Sequence, residues 1–171
     1  MDAQPATAAA RRHLPGAVQT GIVISTCRRD APTMLFTGHC HCGNIRFDFE
    51  TLYTPATLPL RACQCSFCRA HAAVTASDPR GRARISVADR AAVQHYHFGL
   101  GVTDMLICTR CGCYVAAVME IGSRVYATLN TNLLDRHAEL AMTPVPVSYD
   151  SETAEQRLAR RRQNWTPAEF G

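Results

Sequence analysis

Nine cysteines fall into three tight groups with two left over: Gly38-His-Cys40-His-Cys42-Gly43, Cys63-Gln-Cys65-Ser-Phe-Cys68-Arg69 and Cys108-Thr-Arg-Cys111-Gly112, with Cys113 beside the last and Cys27 apart. Cys-x-x-Cys-Gly is the form of a zinc knuckle. Its two-residue spacer lets both thiolates reach one ion, and the glycine tolerates the left-handed turn that follows. Cys40-x-Cys42-Gly43 is a tighter version. Each knuckle offers two ligands and a structural zinc takes four. Cys40, Cys42, Cys108 and Cys111 together would therefore close an all-sulfur site that staples an early part of the chain to a late one. Cys63, Cys65 and Cys68 lie within six residues of one another and have no obvious fourth cysteine. Three protein ligands and an open position make the arrangement of a catalytic zinc. All-sulfur ligation favours zinc over magnesium, calcium or manganese. Three other readings stay open on spacing alone. The cysteines could pack as small apolar residues, or ligate an iron–sulfur cluster, although the usual cluster spacings differ. The second group could also be a closed structural zinc completed by Cys113, Cys27 or a histidine. Cys113, one residue past Gly112, is expected to be buried and inert, and Cys27 to be unligated.

The scaffold that must carry these groups reads as short strands. Ile45, Phe47 and Phe49 alternate with Arg46, Asp48 and Glu50, the period of a half-buried strand. Further strand candidates are Arg84–Val87, Ala92–Phe98, Val102–Ile107, Tyr114–Met119 and Arg124–Asn130, separated by Gly, Pro or Asp. Frequent short strands without long helical periods predict a mainly β, antiparallel fold with a zinc-stapled core. Leu129–Leu140 can hold a short helical turn. Residues 151–165 read as a helix, with Thr153 and Gln156 forming a capping box and Pro167 stopping it. Leu158 is nearly its only interior apolar residue, so it is expected to be a solvated appendage. The chain of 171 residues thus divides into a leader (1–33), a zinc-binding β domain (34–147) and a C-terminal helical appendage (148–171). The leader is rich in Ala, Pro, Thr and Arg.

All 18 basic residues are arginine. The absence of lysine excludes Schiff-base chemistry, pyridoxal phosphate attachment and a P-loop, which all need an amine. The net charge of +4 is spread along the chain, and seven thiolates binding two Zn²⁺ would reduce it to +1. An anionic polymer partner such as nucleic acid is therefore not expected. No apolar run is long enough to span a membrane, and no secretory signal is legible. A cytoplasmic location with reduced thiols is expected, and nine reduced cysteines there point to metal before disulfides.

Gly38-x-Cys40-x-Cys42-Gly43-x-Ile45-x-Phe47, then Cys63-x-Cys65-Ser66-x-Cys68-Arg69, then Cys108-x-x-Cys111-Gly112 resemble the glutathione-dependent formaldehyde-activating enzyme family, over about residues 36–136. Centromere protein V is similar in the same way. The resemblance implies a complex β-meander, like that of a zinc-bound Rab-exchange chaperone, with two unequal zinc sites. Carried over by position, Cys40, Cys42, Cys108 and Cys111 hold a structural zinc, and Cys63, Cys65 and Cys68 an exchangeable, catalytic one. The chain departs from the family pattern after Arg69, where Ala72-Ala73 stands for the usual Gly-Ala, and near the last strand exit, where Thr131-Asn132 replaces a usual glycine.

The implied reaction is that of a carbon–sulfur lyase on a thiol adduct such as S-hydroxymethylglutathione. The alternative is a non-enzymatic zinc scaffold or protein-interaction domain. Proton transfer needs a general acid/base. His71, close to Cys68, is the first candidate, with His95 and His97 behind it and Tyr96 on the face opposite those two. Arg69 could hold a substrate carboxylate bidentately. The partner expected is a small thiol or thiol adduct, with glutathione as the candidate, and the chain could form a homodimer.

Overall fold

The computed structural model describes residues 33–171, so Cys27 and all of the expected leader but Thr33 lie outside the described residues. In chain order the described elements are β1 (Met34–His39), β2 (Ile45–Thr51), β3 (Arg61–Cys63), α1 (Ser66–Ala70), β4 (Thr75–Ala76), β5 (Arg82–Val87), β6 (Val93–Tyr96), β7 (Asp104–Cys108), β8 (Tyr114–Ile121), β9 (Arg124–Asn130), β10 (Val145–Val147), α2 (Ala154–Asn164) and β11 (Thr166–Phe170). The mainly β expectation is met, and the strand candidates fall within two residues of β5 to β9. The helical turn expected in Leu129–Leu140 is realised as two 3-10 turns, Thr131–Leu133 and His137–Glu139. Among the described residues no helix is long and apolar enough to cross a membrane.

β2 shows how the pattern becomes structure. Ile45, Phe47 and Phe49 are fully buried while Arg46, Asp48 and Glu50 face solvent. Burying each such side chain contributes about 1.5–3 kcal/mol. Paired antiparallel with β1 and β5, β2 carries its apolar face to a core completed by Ile85, Leu106, Val115, Val118 and Leu129.

The strands join in one sheet, ordered β1-β2-β5-β11-β9-β4-β3-β10, with β8, β7 and β6 continuing from the other edge of β9. Most pairs are antiparallel, but β10 runs parallel to β3 and β11 parallel to β5, so the sheet is mixed. Parallel pairs need long crossovers, and the chain from β3 to β10 and from β5 to β11 supplies them.

The C-terminal segment departs from the expectation of an appendage. Pro167 ends the helix, as read, but then enters β11, which fills the space between β5 and β9. The Pro167 ring sits opposite Tyr126 in a strand of five residues. Junctions around β4 seat this segment. The Ser77 hydroxyl donates to the Asn164 carbonyl at 2.7 Å, and the Asp78 N–H donates to Thr166 Oγ1 at 2.8 Å. Trp165 and Thr166 are buried. The helix is capped as read, with Thr153 Oγ1 accepting from Gln156 N–H and the Gln156 side chain answering. No residue of α2 itself is buried. It is held at its ends and by the stems of its arginines, which is why periodicity alone gave it no face.

Candidate functional site

The first cysteine group joins two turns. Cys40 ends β1, Cys42 lies in the turn before β2, Cys108 ends β7, and Cys111 lies in the turn before β8. Their four Sγ atoms lie within 4.8 Å of one another. Cys40 Sγ is 3.7 Å from Cys42 Sγ, which is 3.5 Å from Cys108 Sγ. A tetrahedral site with zinc–sulfur bonds of about 2.3 Å sets its sulfurs about 3.8 Å apart. The donor set and spacing therefore suit such an ion. Gly43 and Gly112 have φ of +76° and +72°, so each knuckle uses the backbone freedom that its glycine provides.

Burial drives the Cys40 thiol up to about 12 and also raises Cys108. Burial opposes the Cys111 thiolate too, but the N–H groups of Cys113 and Cys42 and the Cys108 thiol outweigh it and bring Cys111 to about 6. Cys113 lies just before β8 and is half-buried, not buried, because the turn leaves it at the rim. Its sulfur accepts from His41 N–H at 3.4 Å and stays outside the four-sulfur group.

The second group is built on one turn of helix. Cys63 ends β3, Cys65 caps α1 with its sulfur accepting from Cys68 N–H, and Cys68 lies inside that turn. The single turn of α1 brings residues three apart to one side. The three Sγ atoms lie within 4.8 Å of one another, and among the described residues no fourth ligand joins them. The Cys68 thiol donates to Cys63 and brings it to about 5 against the effect of burial. Burial pushes Cys65 up, while the bond to Cys63, followed by burial, pushes Cys68 up. Three thiolates do not coexist here without a cation to offset them, which is the property of a metal-binding trio.

Cys63 and Cys68 of this trio line a cleft with about 490 Å³ of open space, solvent included. β3 contributes Arg61 and Cys63, α1 contributes Cys68, and β8 contributes Tyr114 and Ala117. Val147 ends β10, the parallel partner of β3, Tyr149 follows it, and Arg160, Arg161 and Trp165 come from α2 and its exit. A β-bulge aims Tyr114. The β7–β8 register shifts so that Ile107 faces Tyr114 while Leu106 faces Ala116, leaving Val115 as the extra residue. Strict alternation would have sent Tyr114 with Ala116 and Val118 to the main core. The bulge turns it to the cluster of Phe67, Cys68, Met105 and Trp165 instead. There the Tyr114 ring meets Phe67 edge-on at 5.0 Å. Burial first, then the three neighbouring thiolates, raises its hydroxyl well above its ordinary pKa.

His71 and Arg69 are not among the residues lining this cleft. Both are exposed. His71 Nδ1 donates to the Phe67 carbonyl at 2.9 Å, leaving Nε2 as the free nitrogen, and its ring packs on Phe67 at 4.1 Å. Sequence proximity to Cys68 misled because α1 ends between them and turns the chain outward. His95 and His97 meet Asp104 at 2.5 and 3.5 Å and line a separate groove. Tyr96 points the other way, as alternation implied, and stacks on Phe67 at 5.5 Å. The residues missed by sequence reading are Arg61, Tyr114, Tyr149, Arg160, Arg161 and Trp165. One signal was present: the run Arg160-Arg161-Arg162 stands three residues before the chain's single tryptophan, Trp165.

The profile of the family described as "Glutathione-dependent formaldehyde-activating enzyme" matches residues 35–149. The chain belongs to this family. The match takes in both cysteine groups and Tyr114, and stops before α2. The glutathione-dependent formaldehyde-activating match thus covers the cleft residues from Arg61 to Tyr149, while the arginines of α2 lie outside it. The chain is also similar to a crystal structure of a Rhodobacter sphaeroides protein, at 25% identity and a TM-score of 0.48, over 66% of this chain and 99% of that one. No curated protein matches the chain.

Proposed function

We propose that the chain is a cytoplasmic, zinc-dependent carbon–sulfur lyase. It makes or breaks the C–S bond of a thiol adduct such as S-hydroxymethylglutathione. One zinc would be held by Cys40, Cys42, Cys108 and Cys111 as a staple, and the second by Cys63, Cys65 and Cys68. The observation that carries the reading is the trio itself: three converging sulfurs, without a fourth side-chain ligand among the described residues, two of them on the wall of a cleft. Zinc held there supplies Lewis acidity, and a thiol that coordinates it is deprotonated.

The chain's own residues do the rest. In addition, the substrate sulfur bonds to the aldehyde carbon, the carbonyl π pair moves to oxygen, and that oxygen takes a proton. In cleavage the C–S pair returns to sulfur, the carbonyl re-forms and the hydroxyl gives up its proton. Tyr114 is the group placed to hold that proton, because the bulge turns it into the cleft and burial keeps its hydroxyl protonated. His71 packs against Phe67 and meets the Tyr114 ring edge-on at 5.9 Å, so its part is to position that ring. Arg69 stands on the exposed side of α1 and has no part at the cleft wall. Ala117 and Trp165 supply apolar surface that limits water.

The purified protein is expected to carry two zinc ions and to turn over S-hydroxymethylglutathione. Cys65→Ala should lose one zinc and about 100-fold or more in turnover while keeping its circular dichroism. Tyr114→Phe should keep both zincs and lose roughly 100-fold in kcat. A Cys65→Ala protein with two zincs and full turnover would remove the basis of the mechanism.

A further inference from the structure

The cleft beside the trio contains two guanidinium groups with no carboxylate partner among the described residues. Charge on α2 is unevenly satisfied. Arg160 grips Glu152 with both arms, at 2.7 and 3.0 Å, and lies over the Tyr149 ring at 3.4 Å. Arg157 reaches the same carboxylate at 4.0 Å and donates to the Tyr149 carbonyl at 2.6 Å. Glu152 is thereby shared by two arginines. Arg161 has no acidic partner among the described residues. It meets Met119 Sδ at 3.5 Å and lies 5.1 Å over the Trp165 ring, and its buried Nε donates to nothing. Arg61, across the cleft on β3, donates to the Ser77 hydroxyl and likewise has no carboxylate.

Both side chains are half-buried in the same cleft as Cys63 and Cys68. Burial lowers Arg61, and burial with repulsion from Arg160 and Arg157 lowers Arg161 to about 10. A guanidinium keeps its charge at neutral pH. A desolvated cation with an unused N–H is costly to the folded chain until an anion takes it up. The planar guanidinium fork matches a carboxylate in two parallel hydrogen bonds.

We infer that Arg161 and Arg61, which line one cleft, form a carboxylate-binding subsite that selects thiols carrying a carboxylate for the sulfur chemistry of the adjoining cysteine trio. This rests on the proposed reading of the trio as a thiol-handling centre. Neither arginine was singled out by the sequence, and Arg161 lies beyond the family-matched residues 35–149. One half of the subsite, Arg61, thus comes from the strand that carries Cys63, and the other, Arg161, from a segment beyond the family match.

Two measurements test this. The first compares kcat and KM for the formaldehyde adducts of glutathione, mercaptosuccinate and the neutral thiol 2-mercaptoethanol in the wild type, Arg161→Gln and Arg161→Lys. Arg161→Gln should lower the preference for the carboxylated adducts over the neutral one at least tenfold, through KM, and Arg161→Lys should recover part of it. An equal loss on all three adducts would mean that Arg161 only offsets the charge of the trio, and would overturn the inference. The second is calorimetric binding of mercaptosuccinate and succinate to the zinc-loaded protein, which needs no turnover. Wild type and Cys65→Ala should both bind succinate, and Arg161→Gln should bind it at least tenfold more weakly. Binding that is lost in Arg161→Gln while no adduct is turned over would retain the subsite and reject the proposed reaction. Succinate binding unchanged by Arg161→Gln rejects the subsite.

Discussion

Ala72 is the described non-glycine residue with positive φ, at 46°. It sits where the family pattern usually has glycine, just after α1. Asn132 Nδ2 donates to its carbonyl at 2.9 Å, and its own N–H donates to the Arg69 carbonyl at 3.1 Å, which together hold the turn closed. An alanine in the left-handed region costs roughly 1–2 kcal/mol, and glycine regains part of that against a larger loss of freedom on folding. Ala72→Gly should therefore stabilise the protein by up to about 1 kcal/mol, read as a higher urea midpoint at unchanged m-value. A lower midpoint would show that the turn does not carry this strain. At this scale the cysteines were the most legible residues, because knuckle and trio spacings are local and need no knowledge of the fold. The two pairs in the first group were matched by counting ligands. Tyr114 was not legible as a cleft residue because one bulged residue, Val115, reverses its face. The arginines were read as surface charge because their burial comes from contacts remote in sequence.

At the scale of elements, Asp78 is a joint. Thr51 Oγ1 donates to its carboxylate at 2.7 Å, Leu52 N–H at 3.2 Å and Arg80 N–H at 3.0 Å. Its own N–H reaches Thr166. It thus ties the end of β2, the loop after β4 and the start of β11. Burial opposes its charge, but the N–H of Arg80, the Thr51 hydroxyl, the Leu52 N–H and the Arg80 guanidinium prevail and lower its pKa. A carboxyl with a lowered native pKa contributes stability that is complete above its unfolded value, about 3.9, and is lost as pH falls through the native value. Stability attributable to Asp78 should thus be flat from neutral pH to about pH 5 and fall below about 4. Asp78→Asn should cost about 2–3 kcal/mol at pH 7 and much less at pH 3, followed by denaturant unfolding at both values. An equal cost at both pH values would mean that the charge is not what the joint uses. The helix α2 was legible from its capping box, and its role was not, because it docks through its ends and through arginine stems.

At the scale of the molecule, β11 decides whether there is one sheet or two. It bridges β5 and β9, so without it the β1-β2-β5 arm and the β6-β7-β8-β9 arm are no longer hydrogen-bonded to each other. Deleting residues 166–171 would leave two strand edges unpaired over a core that both arms share. Typical domains have only about 5–15 kcal/mol of stability to lose. The deleted chain should show no cooperative thermal transition by circular dichroism, and retention of one near the full-length Tm would return the segment to the status of an appendage. Mainly β character was legible because period-two alternation is a local signal. The central place of β11 was not, since a five-residue strand containing proline reads from sequence as a stop signal or an edge.

The position of this strand also has a consequence for the order in which the molecule is made. All seven cysteines of the two groups precede residue 112, and the cleft's arginine wall and the bridging strand come only after residue 150. A nascent chain halted between those points already holds every sulfur of both groups, yet it has neither the joined sheet nor the two cleft arginines of α2. On the proposed reading, the means to hold metal thus emerges from the ribosome before the means to select what the metal meets is complete.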